Sequence, residues 1–136
     1  MVMTDMRLIA FGRLCIVAAL VVAGCSGDGL VASRGTVTYD GAPIADGAIS
    51  FHPLDKGVAP QGGRIVAGRF QLRGRPGSQR VEIVASRPKP DAVEITPGMK
   101  PLEQFIPARY NTASMLEADV TTAGPNVFDF DLKSSP

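Results

Sequence analysis

The sequence predicts an all-β domain over residues 34–133, a two-sheet sandwich of about seven short strands, set behind an N-terminal secretory leader. Three observations carry that expectation. From Arg34 onward apolar and polar residues alternate with a period of two, which is the strand period. No stretch shows the 3.6-residue apolar stripe of an amphipathic helix. Eleven prolines and fifteen glycines punctuate the chain while 45% of it stays hydrophobic, so turns are frequent and a core remains affordable.

The elements follow in order. Val37 and Tyr39 alternate with Thr36 and Thr38, and Asp40-Gly41 supplies a turn. Ile49 and Phe51 alternate with Ala48 and Ser50 up to Pro53, which has no N–H to give a ladder. Residues 54–63 read as an exposed loop. The strand pattern resumes from Arg64 to Leu72 around a turn at Ala67-Gly68, with Phe70 and Leu72 facing inward. A turn at Arg75-Pro76-Gly77 leads into Val81, Ile83 and Ala85. Between Arg87 and Pro101 the prolines at 88, 90, 97 and 101 forbid a regular element, so this segment is expected to be a long crossing or lid-like loop, with a brief strand at Val93–Ile95. A final pair of strands is expected at Ser114–Val120 and Val127–Leu132. In the last one Phe128, Phe130 and Leu132 point one way and Asp129 and Asp131 the other.

The first 24 residues have the three-part layout of a secretory signal: Arg7 and Arg13 at the start, an apolar run from Leu14 to Ala23, and the small residues Ala23 and Gly24 at the end. The run is about half of the roughly 20 residues that a helix needs to cross a bilayer. Cys25 follows directly. The segment Val22-Ala23-Gly24-Cys25 resembles the bacterial lipobox, and the resemblance implies lipid on the Cys25 thiol, cleavage between Gly24 and Cys25, and a membrane anchor. One acyl chain anchors only marginally, whereas two or more hold stably. The other reading is an ordinary secretory peptide with an incidental cysteine, or a pair with Cys15. Cys15 lies inside the leader and would leave with it. Residues 25–33 are then the lipidated cysteine and a small, polar, flexible spacer, and residues 134–136 are a tail.

With residues 1–24 removed, 12 basic and 12 acidic side chains remain. A near-neutral body lacks the basic footprint that collects phosphates, so no nucleic-acid partner is expected. Arg64, Arg69, Arg73, Arg75, Arg80, Arg87 and Lys89 do crowd one stretch. They read either as an anionic-ligand surface or as arginines on the solvent faces of strands and turns.

The opening Gly35-Thr36-Val37-Thr38-Tyr39-Asp40-Gly41-Ala42-Pro43-Ile44, with Gly47-Ala48-Ile49-Ser50-Phe51, resembles carboxypeptidase-regulatory-like domains, also described as transthyretin-like or prealbumin-like. The pieces Val81-Glu82-Ile83, Phe105-Ile106-Pro107-Ala108-Arg109-Tyr110-Asn111 and Phe128-Asp129-Phe130-Asp131-Leu132 resemble those of small planctomycete lipoproteins built on that domain. The resemblance spans nearly all of residues 34–133. It implies a seven-stranded immunoglobulin-like or prealbumin-like sandwich outside the cytoplasm, and it implies no particular reaction. Transthyretin-like folds also include hydroxyisourate hydrolases, which use several histidines and a C-terminal Tyr-Arg-Gly-Ser. This chain has one histidine and ends Leu132-Lys133-Ser134-Ser135-Pro136.

Chemistry-bearing residues are few. His52 rules out a multi-histidine metal site and is expected to be a solvent-exposed residue at a strand end. Asp129 and Asp131 share one outward side, which suits either a calcium ion or plain solvation. Lys133 with Asn111 or Asn126 is a conceivable isopeptide pair. Arg109, Tyr110 and Asn111 read either as a ligand-facing edge or, for Tyr110, as a corner residue whose hydroxyl bonds backbone. No nucleophile, base and orienting group assemble. The expectation is therefore a non-catalytic, lipid-anchored envelope protein on the non-cytoplasmic side of a membrane, at its periplasmic or outer-membrane face. It carries no catalytic residue, metal or cofactor beyond the lipid on Cys25, and its partner is an envelope protein or a glycan. The alternatives are a polysaccharide-binding module and an accessory subunit of an envelope enzyme or secretion complex, with the proline-rich loop as contact.

Overall fold

A computed structural model describes residues 27–136; Cys25, the Gly24–Cys25 cleavage point and the leader lie outside them. The described chain is all-β. Its strands are β1 (Val31–Tyr39), β2 (Ala42–Pro43), β3 (Asp46–Pro53), β4 (Gln61–Val66), β5 (Arg69–Gly74), β6 (Gly77–Pro88), β7 (Leu102–Gln104), β8 (Leu116–Val120) and β9 (Asn126–Leu132), with one 3₁₀ turn at Ala108–Tyr110. Seven of these strands have five or more residues, and β2 and β7 are short additions at strand ends.

Two turns follow directly from local chemistry. Asp40 and Gly41 both have positive φ, 50° and 83°, and so do Ala67 and Gly68 at 50° and 74°. Two successive residues of this kind match the right-handed twist of the strands they join. The β4–β5 hairpin closes with Ile65 opposite Phe70 and Val66 opposite Arg69.

Hydrogen bonding links the strands in the order β9-β1-β5-β4-β3-β6-β8. All pairs are antiparallel except β1 with β9, which runs parallel from Ser33 opposite Asn126 to Tyr39 opposite Leu132. The sheet is strongly curled, and two observations require it. Flat, its edge strands β9 and β8 would stand six spacings of about 4.8 Å apart, roughly 29 Å, yet residues 121–125 alone connect them, a link that reaches at most about 20 Å. In addition, Phe51 on β3 and Phe128 on β9 lie four spacings apart along the sheet, but their rings stack edge-on with centroids 5.8 Å apart. The inward residues of every long strand meet in that curl. Val37, Ile49, Phe51, Ile65, Val81, Ile83 and Leu132 are at most 1% exposed, and Phe70 packs on both Phe51 and Phe130. Truncating a fully buried Phe such as Phe51 to Ala removes about 3–5 kcal/mol at such sites. Gly35 is the point of closest approach: a Cβ there would sit 1.7 Å from the Phe128 carbonyl oxygen, so no larger residue lets β9 lie against β1.

The last two strands form as expected, β8 starting two residues later at Leu116, and they take different neighbours: β8 joins β6 and β9 joins β1. Alternation orients a strand's faces without naming its neighbour. Several expectations need correction. The spacer expected through Ser33 ends sooner, because Val31–Ser33 belong to β1 and Ser33 is 1% exposed; an inward serine gives no apolar signal. The loops are shorter than expected, since β4 begins at Gln61 and β6 runs through Pro88. Val93–Ile95 form no strand. A tight turn stands nearby instead, with Thr96 bridging Met99.

Candidate functional site

The segment Arg109-Tyr110-Asn111 does not make one ligand-facing surface. Asn111 is 6% exposed, and its amide donates to the carbonyls of Ile106 and Pro107 at 3.1 and 3.2 Å. Its side-chain oxygen accepts the Thr112 N–H at 2.7 Å. The Tyr110 hydroxyl accepts the Lys133 N–H at 3.0 Å, the backbone-bonding role open to it from the sequence. Arg109 lies over the Tyr110 ring at 4.9 Å and donates to the carbonyls of Lys133 and Ser135. The neighbouring Arg109 guanidinium and the Lys133 N–H hold the Tyr110 phenol below its usual range. Together with the Ser134 N–H on Asp40 Oδ1 at 2.8 Å, these contacts latch the C-terminal tail onto the domain.

The other candidates resolve similarly. His52 stands one residue before the end of β3 and is partly exposed. One ring nitrogen, Nε2, approaches both Ser50 Oγ at 3.2 Å and Glu82 Oε2 at 3.3 Å. A hydrolytic relay needs the two ring nitrogens to serve different partners, so Ser50, His52 and Glu82 do not form one. Asp129 Oδ1 takes the Thr36 hydroxyl at 2.7 Å and the Thr36 N–H at 3.2 Å. Asp131 takes the Thr38 hydroxyl and pairs with Lys133 at 3.0 Å. The two carboxylates thus knit β9 to β1. Lys133 Nζ sits on Asp131, and the Asn126 amide is spent on the carbonyls of Thr121 and Ala32. Lys133 and both asparagines are thus each engaged with other partners.

The most conspicuous unsatisfied surface lies on the loop after β6. Val93, Ile95, Met99 and Leu102 are 88, 67, 59 and 69% exposed. Four exposed apolar side chains within one short segment are a feature that needs a reason. The loop is built rather than slack: Lys89 N–H bonds Pro101 O, Ile95 N–H bonds Met99 O, and Met99 N–H bonds Thr96 O, all at 2.8–2.9 Å. Gly98 N–H bonds the Glu94 carboxylate at 3.0 Å, and Lys100 Nζ bonds Pro90 O at 2.8 Å. Sequence reading located this segment through its prolines. It read Val93–Ile95 as a brief strand and did not expect Val93, Ile95, Met99 and Leu102 to be exposed together.

The strand register fixes where this loop sits. Val31 pairs with Gly74, Pro53 with Gln79 and Gly77 with Val120, so the chain enters the domain at the end where β6 begins. The loop leaves from the far end of β6, twelve residues on, which is roughly 35 Å away along a strand. The same far end carries Asp40, Tyr110 and the latched tail. Among the described residues no helix is long and apolar enough to cross a membrane.

No family model matches the chain, and no curated protein matches it. A similar solved chain is a 9R-lipoxygenase from Cyanothece PCC8801, at 13% identity and a TM-score of 0.38, over 77% of this chain and 16% of the lipoxygenase. A likeness at that level carries no argument about function.

Proposed function

We propose that this chain is a non-catalytic lipoprotein of the cell envelope, lipidated on Cys25 and held at the non-cytoplasmic side of a membrane as an interaction module. In this reading the body is a carboxypeptidase-regulatory-like sandwich. The observation that carries the functional part is the ordered apolar loop at the end opposite the tether. A domain fastened at Val31 by a few residues holds Val93, Ile95, Met99 and Leu102 out from the bilayer, where a protein partner can cover them. The charges Lys89, Asp91, Glu94 and Lys100 within the loop balance, which favours a protein surface over an anionic headgroup layer.

Proximity labelling from the full-length protein in intact cells tests this. The labelled neighbours are expected to be envelope proteins, with one of them dominant. The triple variant Val93→Ser, Ile95→Ser, Met99→Ser should lose that neighbour while its melting temperature stays within a few degrees of wild type, because exposed substitutions change stability by only about 0.5 kcal/mol each. Cytoplasmic neighbours, or an unchanged set with the variant, would sink the proposal.

A further inference from the structure

The arginine-rich stretch of β4 to β6 separates into paired and unpaired members. Arg64 pairs with Asp46, Arg73 with Asp28, Arg80 with Glu82 and Arg87 with Glu103, at 2.7–3.0 Å. Arg69 has no such partner among the described residues, and neither does Arg34 on β1. Register brings the two together: Arg34 stands opposite Gln71 and Thr36 opposite Arg69, so the arginines are diagonal neighbours on the outward face, with backbones about 7–8 Å apart. Among the described residues neither side chain makes a hydrogen bond or ion pair.

They border a groove of about 480 Å³, within the range of small-ligand sites, that also presents Gln71, Val66, Val127 and Asp129. A second hollow of about 330 Å³ adjoins it and shares Arg34 and Gln71, so the site is elongated. Val66 and Val127 are about half exposed and form apolar walls. Asp129 keeps Oδ1 on Thr36, and its carboxylate adds an acceptor for ligand hydroxyls. No tryptophan exists in the chain, and the one aromatic residue in the groove, Phe70, is buried, so a neutral sugar has no ring to stack on. Binding must come from charge. A guanidinium fork grips a carboxylate through two parallel hydrogen bonds.

We propose that this groove binds a carboxylate-bearing polysaccharide, with Arg34 and Arg69 each taking an acidic sugar and Gln71 and Asp129 taking hydroxyls. The site lies on the β9-β1-β5-β4 face, separate from the apolar loop, and does not depend on the loop's partner.

The test is titration calorimetry of the full chain in a zwitterionic detergent with polygalacturonate oligomers. Wild type should bind, and the methyl-esterified oligomer should bind at least tenfold more weakly. Arg34→Gln and Arg69→Gln should each weaken binding at least tenfold with an unchanged melting temperature, whereas Arg75→Gln, an exposed arginine outside the groove, should bind as wild type. The proposal is overturned by absent binding, by equal affinity for the methyl ester, or by an Arg75→Gln loss equal to the others. It is equally overturned if polygalacturonate is ignored while phosphatidylglycerol vesicles are bound through Arg34, which would assign the groove to lipid headgroups.

Discussion

At the residue scale, Ala67 occupies a conformation that suits it poorly. Its φ of 50° lies in the left-handed region, which costs an L-residue with a Cβ roughly 1 kcal/mol. The residue after it is Gly68, so Ala67→Asn creates the Asn-Gly pair most compatible with this turn. The expected gain is about 0.5–1 kcal/mol, read as a higher urea midpoint at unchanged slope. Asp40 gives a second residue-level prediction. Its carboxyl is held below the ordinary 3.8, first by the Ser134 N–H, and Asp131 is lowered first by its bond with the Lys133 side chain. A depressed folded-state pKa makes these contributions complete above 3.8 and removes them as pH falls through the still lower folded values. Relative to its intrinsic exchange rate, the Ser134 amide should therefore be protected at neutral pH and lose that protection in acid. In Asp40→Ala the protection should be absent at both.

At the element scale, the five-residue link between β8 and β9 has to hold two sheet edges together. Asn126 does so from a buried position: its Oδ1 accepts the Thr121 N–H at 2.8 Å, and its amide donates to Thr121 O at 2.9 Å and Ala32 O at 3.3 Å. Asn126→Ala abandons all three at once and should cost about 1–3 kcal/mol, seen as a lower melting temperature and faster exchange in β9. The elements themselves were legible. The turns at Asp40-Gly41 and Ala67-Gly68, the stop at Pro53 and the inward set Phe70, Leu72, Val81 and Ile83 follow from local chemistry and period. The partners of β8 and β9 were not legible, because two strands with correct faces satisfy the same alternation whichever neighbour they take. The groove was hidden for a related reason: Arg34 and Arg69 are 35 positions apart in the chain, and only the β1–β5 register makes them neighbours.

At the scale of the whole molecule, the start of β1 and the proposed contact surface stand at opposite ends of the domain, and the proposed anchor has its own test. Cys25→Ala should release the protein into the soluble envelope fraction, as followed by fractionation and by the mass of the mature chain, since the proposed anchor depends on lipid at that residue. Persistence in the membrane with unchanged detergent partitioning would refute lipid anchoring at that residue. The amino-acid sequence by itself determined the all-β character, the main turns and the inward faces, because these depend on residues within one strand or one turn of each other. Only the tertiary structure decided that β9 runs parallel to β1, that the tail is latched by Tyr110 and Asp40, and which arginines remain unpaired. Those outcomes join residues distant in the chain, and they are selected by how far a five-residue link can reach and how closely backbones can approach at Gly35, quantities that no local pattern encodes.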